Sequence, residues 1–245
     1  MFGINWDLRN DLAWEAATPA QVDEWGFGGV RSVSSEEHEP RLLEVSQAGL
    51  GIMSVVTWDS QGYISPLTDF VQIHNEMTTG QSPMTPDQYV YEWLTYKAVF
   101  ASASYRWVTG GLARGGSFDI EWMREVLRKV DKRLHPDYIA LHLYTHTPES
   151  ARAYVDRWWN EFHIPVICTE WYRAAEEGHH AFQCMLGGNG GDGQGARCPD
   201  WNSFFCLTDH MTIYTEGTHL GLLNTDDQPK DEFYSLLSAP EECRQ

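Results

Sequence analysis

The sequence predicts an α/β barrel of eight parallel strands, and three observations carry that prediction. Eight short, largely apolar runs punctuate the chain, as expected of strands covered on both faces. Helix-start signals stand between them, so strand and helix alternate nearly to the end, which implies a parallel sheet. A length of 245 residues suits one closed (β/α)8 barrel, the TIM barrel, without a second domain. The expected organisation is a single barrel domain over residues 1–245.

Taken in order, the expected strands are Phe2–Trp6, Gly28–Val33, Gly51–Thr57, Asp69–Ile73, Tyr105–Thr109, Tyr138–Leu143, Ile164–Thr169 and Ser203–Leu207. Thr18-Pro19-Ala20-Gln21 and Thr85-Pro86-Asp87-Gln88 each match a capping box with proline at the first helical position. Thr147-Pro148-Glu149 opens a further helix in the same way. Phe118–Val130 places Ile120, Met123, Val126, Leu127 and Val130 on one helical face. Gly26 and Gly49 sit where helices should stop. Two places trim the barrel. The βα3 connection between Thr57 and Asp69 contains Gly62 and Pro66 and is too short for a full helix. The βα7 region carries nine residues, 187–195, too rich in glycine to be helical. An open doubly wound sheet is the second choice, but the glycine-rich phosphate turn that such a fold carries after its first strand is absent.

Composition narrows the partners. The formal net charge of −18, from 17 basic and 35 acidic residues, repels phosphate backbones and anionic lipid surfaces, so neither nucleic acid nor a membrane is an expected partner. No apolar stretch approaches the roughly 18 residues that mark a spanning helix. Met1 runs straight into the apolar first strand with no signal-peptide pattern, which leaves localisation open and a processed or otherwise released protein plausible. The five cysteines have no metal-type spacing. Cys168 reads as a small core residue, and a bridge between Cys184 and Cys198 stays open. His142 and His146, and the pair His179-His180, invite a metal, yet the first strand lacks a His-x-His pair, and no metal is expected. Gly110–Gly116 lacks the Lys and Ser/Thr of a phosphate loop, so no nucleotide cofactor is expected either. The chain holds 11 Trp and 11 Tyr, and aromatic rings near strand ends suit the flat C–H faces of sugars.

The chemistry points the same way. Val71-Gln72-Ile73-His74-Asn75-Glu76 and Pro165-Val166-Ile167-Cys168-Thr169-Glu170-Trp171 are strands that each end in a carboxylate. In a parallel barrel all strand C-termini open on one face, so Glu76 and Glu170 meet there although 94 positions separate them. Cleaving an acetal needs one carboxyl that arrives protonated and a second that stays charged. Asn75 could bond a sugar hydroxyl, Trp171 could floor the sugar site, and Trp58 could line the cleft. His74 is either a supporting partner or core.

With these residues in place, the chain resembles the retaining glycoside hydrolases of clan A. His74-Asn75-Glu76 resembles the Asn-Glu that ends their fourth strand, and Thr169-Glu170-Trp171 resembles the motif that ends their seventh. Arg31 matches a second-strand arginine that orients the nucleophile, and His142 and Tyr144 match a sixth-strand His-x-Tyr segment. Gly221-Leu222-Leu223 and Pro229-Lys230 resemble the entry to the last helix. The resemblance implies a (β/α)8 enzyme that cleaves a β-glycosidic bond of an oligo- or polysaccharide by double displacement. Glu76 is then acid/base and Glu170 the nucleophile. Arg31 and Tyr144 would keep Glu170 charged, since a cation and hydrogen bonds favour the ionised form. The carboxyl groups are expected about 5–5.5 Å apart, the spacing for retention. A sugar-binding barrel without turnover and a peptidoglycan-cleaving lysin are the alternatives.

Overall fold

The structure is a computed structural model that describes residues 2–57, 62–79, 83–113, 116–143, 148–171 and 204–206. Its strands are β1 (Phe2–Asn5), β2 (Phe27–Val33), β3 (Gly51–Val56), β4 (Phe70–Ile73), β5 (Arg106–Val108), β6 (Ile139–Leu143), β7 (Val166–Trp171) and β8 (Phe204–Cys206). Each falls on an expected run, within two residues at either end. The helices are α1 (Asp11–Glu15), α2 (Pro19–Glu24), α3 (Glu39–Gln47), α4 (Pro86–Val99), α5 (Gly116–Lys129) and α6 (Pro148–Phe162).

Among the described residues every strand pairing is parallel. One ladder runs β5-β4-β3-β2-β1-β8, and β6 pairs with β7. Bridges from Val108 to Tyr138 and from Leu112 to Leu141 join β5 and its continuation to β6, and β7 lies beside β8. The ring is thus the trimmed (β/α)8 barrel that the sequence predicts. Both capping boxes form: Thr18 and Thr85 each accept from the backbone N–H three residues on, and Gln21 and Gln88 reach back. Gly26 (φ 81°) and Gly49 (φ 87°) hold the left-handed conformation that ends α2 and α3. Residues 62–69 contain turns and no helix, as the short connection requires. The short α1 carries no strong sequence pattern; Asn10 caps it by accepting from the Ala13 N–H. The glycine-rich stretch 187–195 lies outside the described residues.

The packing separates into two shells. Outside the ring, Ile4, Val30, Ile52, Val71, Ile139 and Val166 meet the helices, among them Tyr89 and Trp93 of α4 and Ile120, Met123 and Val126 of α5. Trp107 joins this shell, 5% exposed. A second cluster joins Met53, Phe70, Val108, Ala140 and Ile167, one residue from each of five neighbouring strands. These side chains fill the interior of the ring. Alternation along a strand puts the next inward residue two positions on, toward the C-terminal mouth. Gln72 therefore follows Phe70, and His142 follows Ala140: a polar layer stands directly above an apolar floor.

Candidate active site

The mouth is built around Arg31, 7% exposed and inward-facing on β2. Its Nε donates to Gln72 Oε1 (2.8 Å), Nη1 to Asn5 Oδ1 (2.8 Å) and Nη2 to Asn75 Oδ1 (2.8 Å). Nη1 also donates to Glu170 Oε1 at 3.2 Å. A buried guanidinium needs this many acceptors, because desolvation of an unpaired charge costs several kcal/mol, roughly 3–5 when one partner is lost. Gln72 and Asn75 are locked in turn: Gln72 Nε2 donates to the His74 carbonyl (2.9 Å) and to Asn75 Oδ1 (3.1 Å). Asn5 Nδ2 donates to the Thr169 carbonyl (3.0 Å), which ties β1 to β7.

Two backbone irregularities aim the carboxylates. On β7, Leu141 pairs with Cys168 but His142 pairs with Glu170, so Thr169 is an extra residue in the ladder. Regular alternation from Ile167 would put Thr169 on the inner face and send Glu170 outward; the bulge re-aims Glu170 into the mouth. After β4, His74 (φ 63°) and Glu76 (φ 52°) take the left-handed conformation, with Asn75 between them paired to Gly111. The Glu76 N–H donates to the Gly111 carbonyl at 2.8 Å, and the His74 N–H to the Val56 carbonyl at 2.7 Å.

The result is a tight group. Glu76 is 6% exposed, and its Oε1 lies 3.1 Å from His142 Nδ1 while Thr79 Oγ1 stands 3.2 Å from its Oε2. His142 Nε2 lies 3.3 Å from Glu170 Oε1, which also accepts from Asn75 Nδ2 at 3.3 Å. Glu76, His142 and Glu170 each present one donor atom within 4.8 Å of the other two. That donor set could meet a cation, but Arg31 already places its positive charge on the same Glu170 oxygen. His74 stands behind the group, 1% exposed, its ring 6.5 Å from that of Tyr89. Burial pushes the His74 imidazole down to about 4, so it is neutral near pH 7.

Five of the eight expected site residues therefore meet: Glu76, Glu170, Arg31, Asn75 and His142. Trp171 ends β7 opposite Leu143. Tyr144 and Trp58 lie outside the described residues, as do His146, His179, His180, Cys184 and Cys198. Sequence reading missed Asn5, Gln72 and Gly111. The first two had a signal, an amide side chain within an otherwise apolar strand. Such a residue must find buried partners, and here both serve Arg31.

Residues 66–185 match the family model described as the glycosyl hydrolase catalytic core. The chain resembles the clan A glycoside hydrolases. The matched span holds both Glu76 and Glu170. Solved structures share the fold. A GH128 (subgroup V) exo-β-1,3-glucanase from Cryptococcus neoformans superposes with TM-score 0.65 at 16% identity, covering 97% of this chain and 98% of that one. A GH128 (subgroup I) endo-β-1,3-glucanase from Amycolatopsis mediterranei, in complex with laminaritriose, gives 0.65 at 16%, covering 91% and 94%. A family 39 glycoside hydrolase from Bacteroides cellulosilyticus gives 0.69 at 12%, covering 97% of this chain and 62% of that one. No curated protein sequence matches significantly.

Proposed function

We propose that this protein hydrolyses a β-linked glucan with retention, Glu76 serving as acid/base and Glu170 as nucleophile. The observation that carries this reading is the approach of the two carboxylates, with one oxygen of each within 4.8 Å. Retention places the carboxyls about 5–5.5 Å apart, whereas inversion needs roughly 6.5–9.5 Å to admit a water. The surroundings fit the two roles. Glu170 takes hydrogen bonds from Arg31 and Asn75 on one oxygen, which favours a charged nucleophile. Glu76 lies with Oε1 3.1 Å from His142 Nδ1 and Oε2 3.2 Å from Thr79 Oγ1, on the far side of His142 from Glu170.

His142 links the pair. A neutral imidazole donates from one nitrogen and accepts at the other. With Nδ1 bare toward Glu76, 3.1 Å away, it accepts the proton of a neutral Glu76, while Nε2 lies 3.3 Å from the Glu170 carboxylate. This is the resting state that the first step needs. Glu76 then protonates the leaving oxygen while Glu170 bonds to the anomeric carbon. In the second step Glu76, now charged, takes a proton from water, water attacks the same carbon, and Glu170 leaves. Both steps invert at the carbon, so the product keeps the β configuration.

Laminaritriose and longer β-1,3-glucans are the first substrates to test, since several barrels of the same fold are β-1,3-glucanases. The anomer released first, read by NMR, should be β. Glu170→Gln should lower kcat by at least about 10⁴-fold, as expected when a nucleophile is removed, and leave glucan binding measurable by calorimetry. A fluorinated glucoside should label Glu170 in peptide mapping. An α product, or label on another residue, overturns the roles.

A further inference from the structure

We infer that Gly111 is a positioning residue for this reaction, kept without a side chain so that the His142 imidazole can stand between the two carboxylates. This rests on the assignment of Glu76 and Glu170 as the reacting pair. The chain beyond β5 (Thr109-Gly110-Gly111-Leu112) runs as a backbone wedge between the end of β4 and β6. A Cβ built on Gly111 would lie 2.0 Å from His142 Nε2, 2.6 Å from Cδ2 and 2.8 Å from Cε1. Three ring atoms fall inside van der Waals contact, and the nearest is the nitrogen that faces Glu170.

Neither side can give way cheaply. The Gly111 carbonyl accepts the Glu76 N–H, the Leu112 N–H donates to the Ala140 carbonyl (3.1 Å), and the His142 N–H donates to the Leu112 carbonyl (3.0 Å). The wedge is thus stitched to the acid's backbone on one side and to the histidine's on the other. His142 is 3% exposed, with Nδ1 on Glu76, so the ring has no open direction. Gly110 is crowded as well: a Cβ there would meet Met77 Sδ at 2.0 Å and the Ile73 carbonyl at 2.7 Å, while the Gly110 N–H donates to Tyr89 Oη at 3.0 Å. The glycine pair is required by space, whatever its sequence resemblance to a phosphate loop.

A methyl at position 111 would therefore push Nε2 away from Glu170 before it disturbed any surface that meets glucan. With laminaritriose, Gly111→Ala should lower kcat at least tenfold and shift the pH–rate profile, with KM within threefold of wild type. In a His142→Ala background the same substitution should add less than a threefold loss, because the ring it displaces is gone. Two readouts need no turnover. In the full-length protein labelled with 15N at histidine, the His142 signals, assigned by their loss in His142→Ala, should move in Gly111→Ala while other histidines hold. If Gly111→Ala fails to fold, Gly111→Ala/His142→Ala should fold with the Tm of His142→Ala, the vacated ring space taking the methyl. Unmoved His142 signals, multiplying losses in the double variant, or a double variant that also fails to fold would overturn the proposal. A wild-type protein inert on glucan would instead refute the proposed function and leave the NMR and Tm outcomes to decide the role of Gly111.

Discussion

His74 and Glu76 show how much a single backbone position can carry. Each holds a left-handed conformation that disfavours non-glycine residues, at a cost of roughly 1–3 kcal/mol. The hydrogen bonds from their N–H groups to Val56 and Gly111, and the Asn75 pairing between them, hold that conformation in place. Motif reading sees His-Asn-Glu and predicts a strand end; it does not see the two reversals that turn Glu76 into the mouth. The His74 ring is the second consequence. Its folded value, about 4, lies below its ordinary 6.5, so the unfolded chain binds the proton first as pH falls. The stability from a neutral His74 is complete above pH 6.5 and is lost progressively toward pH 4. His74→Gln should therefore show a shallower fall of Tm than wild type between pH 6.5 and 4. Parallel Tm–pH curves for the two proteins would mean that His74 becomes charged where it sits.

At the scale of elements, local chemistry explains the helices better than the strands. The Thr85 box at the start of α4 pairs Thr85 Oγ1 with the Gln88 N–H at 3.2 Å and Gln88 Oε1 with the Thr85 N–H at 2.8 Å. Thr85→Ala should cost about 1 kcal/mol. In a chain of this size that is a Tm shift of about 2–4 °C, measurable by calorimetry, and an unchanged Tm would show that tertiary packing of Tyr89 and Trp93 alone holds the helix. Such a box is legible because all its partners lie within four residues. The β7 bulge is not, because it exists only as a mismatch between β7 and β6. Residue types in Cys168-Thr169-Glu170 give no warning that two of them share one rung. The inward turn of Glu170 depends on that mismatch.

For the whole molecule, ring closure decides which residues become neighbours. Arg31 on β2 reaches side chains of β1, β4 and β7 and the Asn75 that follows β4, partners up to 139 positions away. Only a closed ring provides such a meeting point. The charge excess acts at the same scale. With a net charge of −18, self-repulsion opposes the compact state, and salt screens it as the Debye length falls from roughly 30 Å at 0.01 M to roughly 8 Å at 0.15 M. Raising NaCl over that range at pH 7 should raise Tm in differential scanning calorimetry. A fall would mean that screening of surface pairs such as Arg124–Glu161 (2.7 Å) outweighs relief of the net repulsion.

Sequence alone determined the order of the elements, the strand runs, both capping boxes, the absence of a helix over residues 62–69, and the placing of Glu76 and Glu170 at one open end of the ring. All of these follow from side-chain periodicity, from partners a few residues apart, or from the rule that parallel strands share one open end. Tertiary structure decided the rest. The bulge that aims Glu170, the left-handed turns that aim Glu76, the buried amides that satisfy Arg31, and the bare Cα of Gly111 beside His142 all depend on contacts between distant strands. The physical reason is that space and hydrogen-bond partners inside a closed ring are set by every strand at once, and no local stretch of chain encodes the shape of its neighbours.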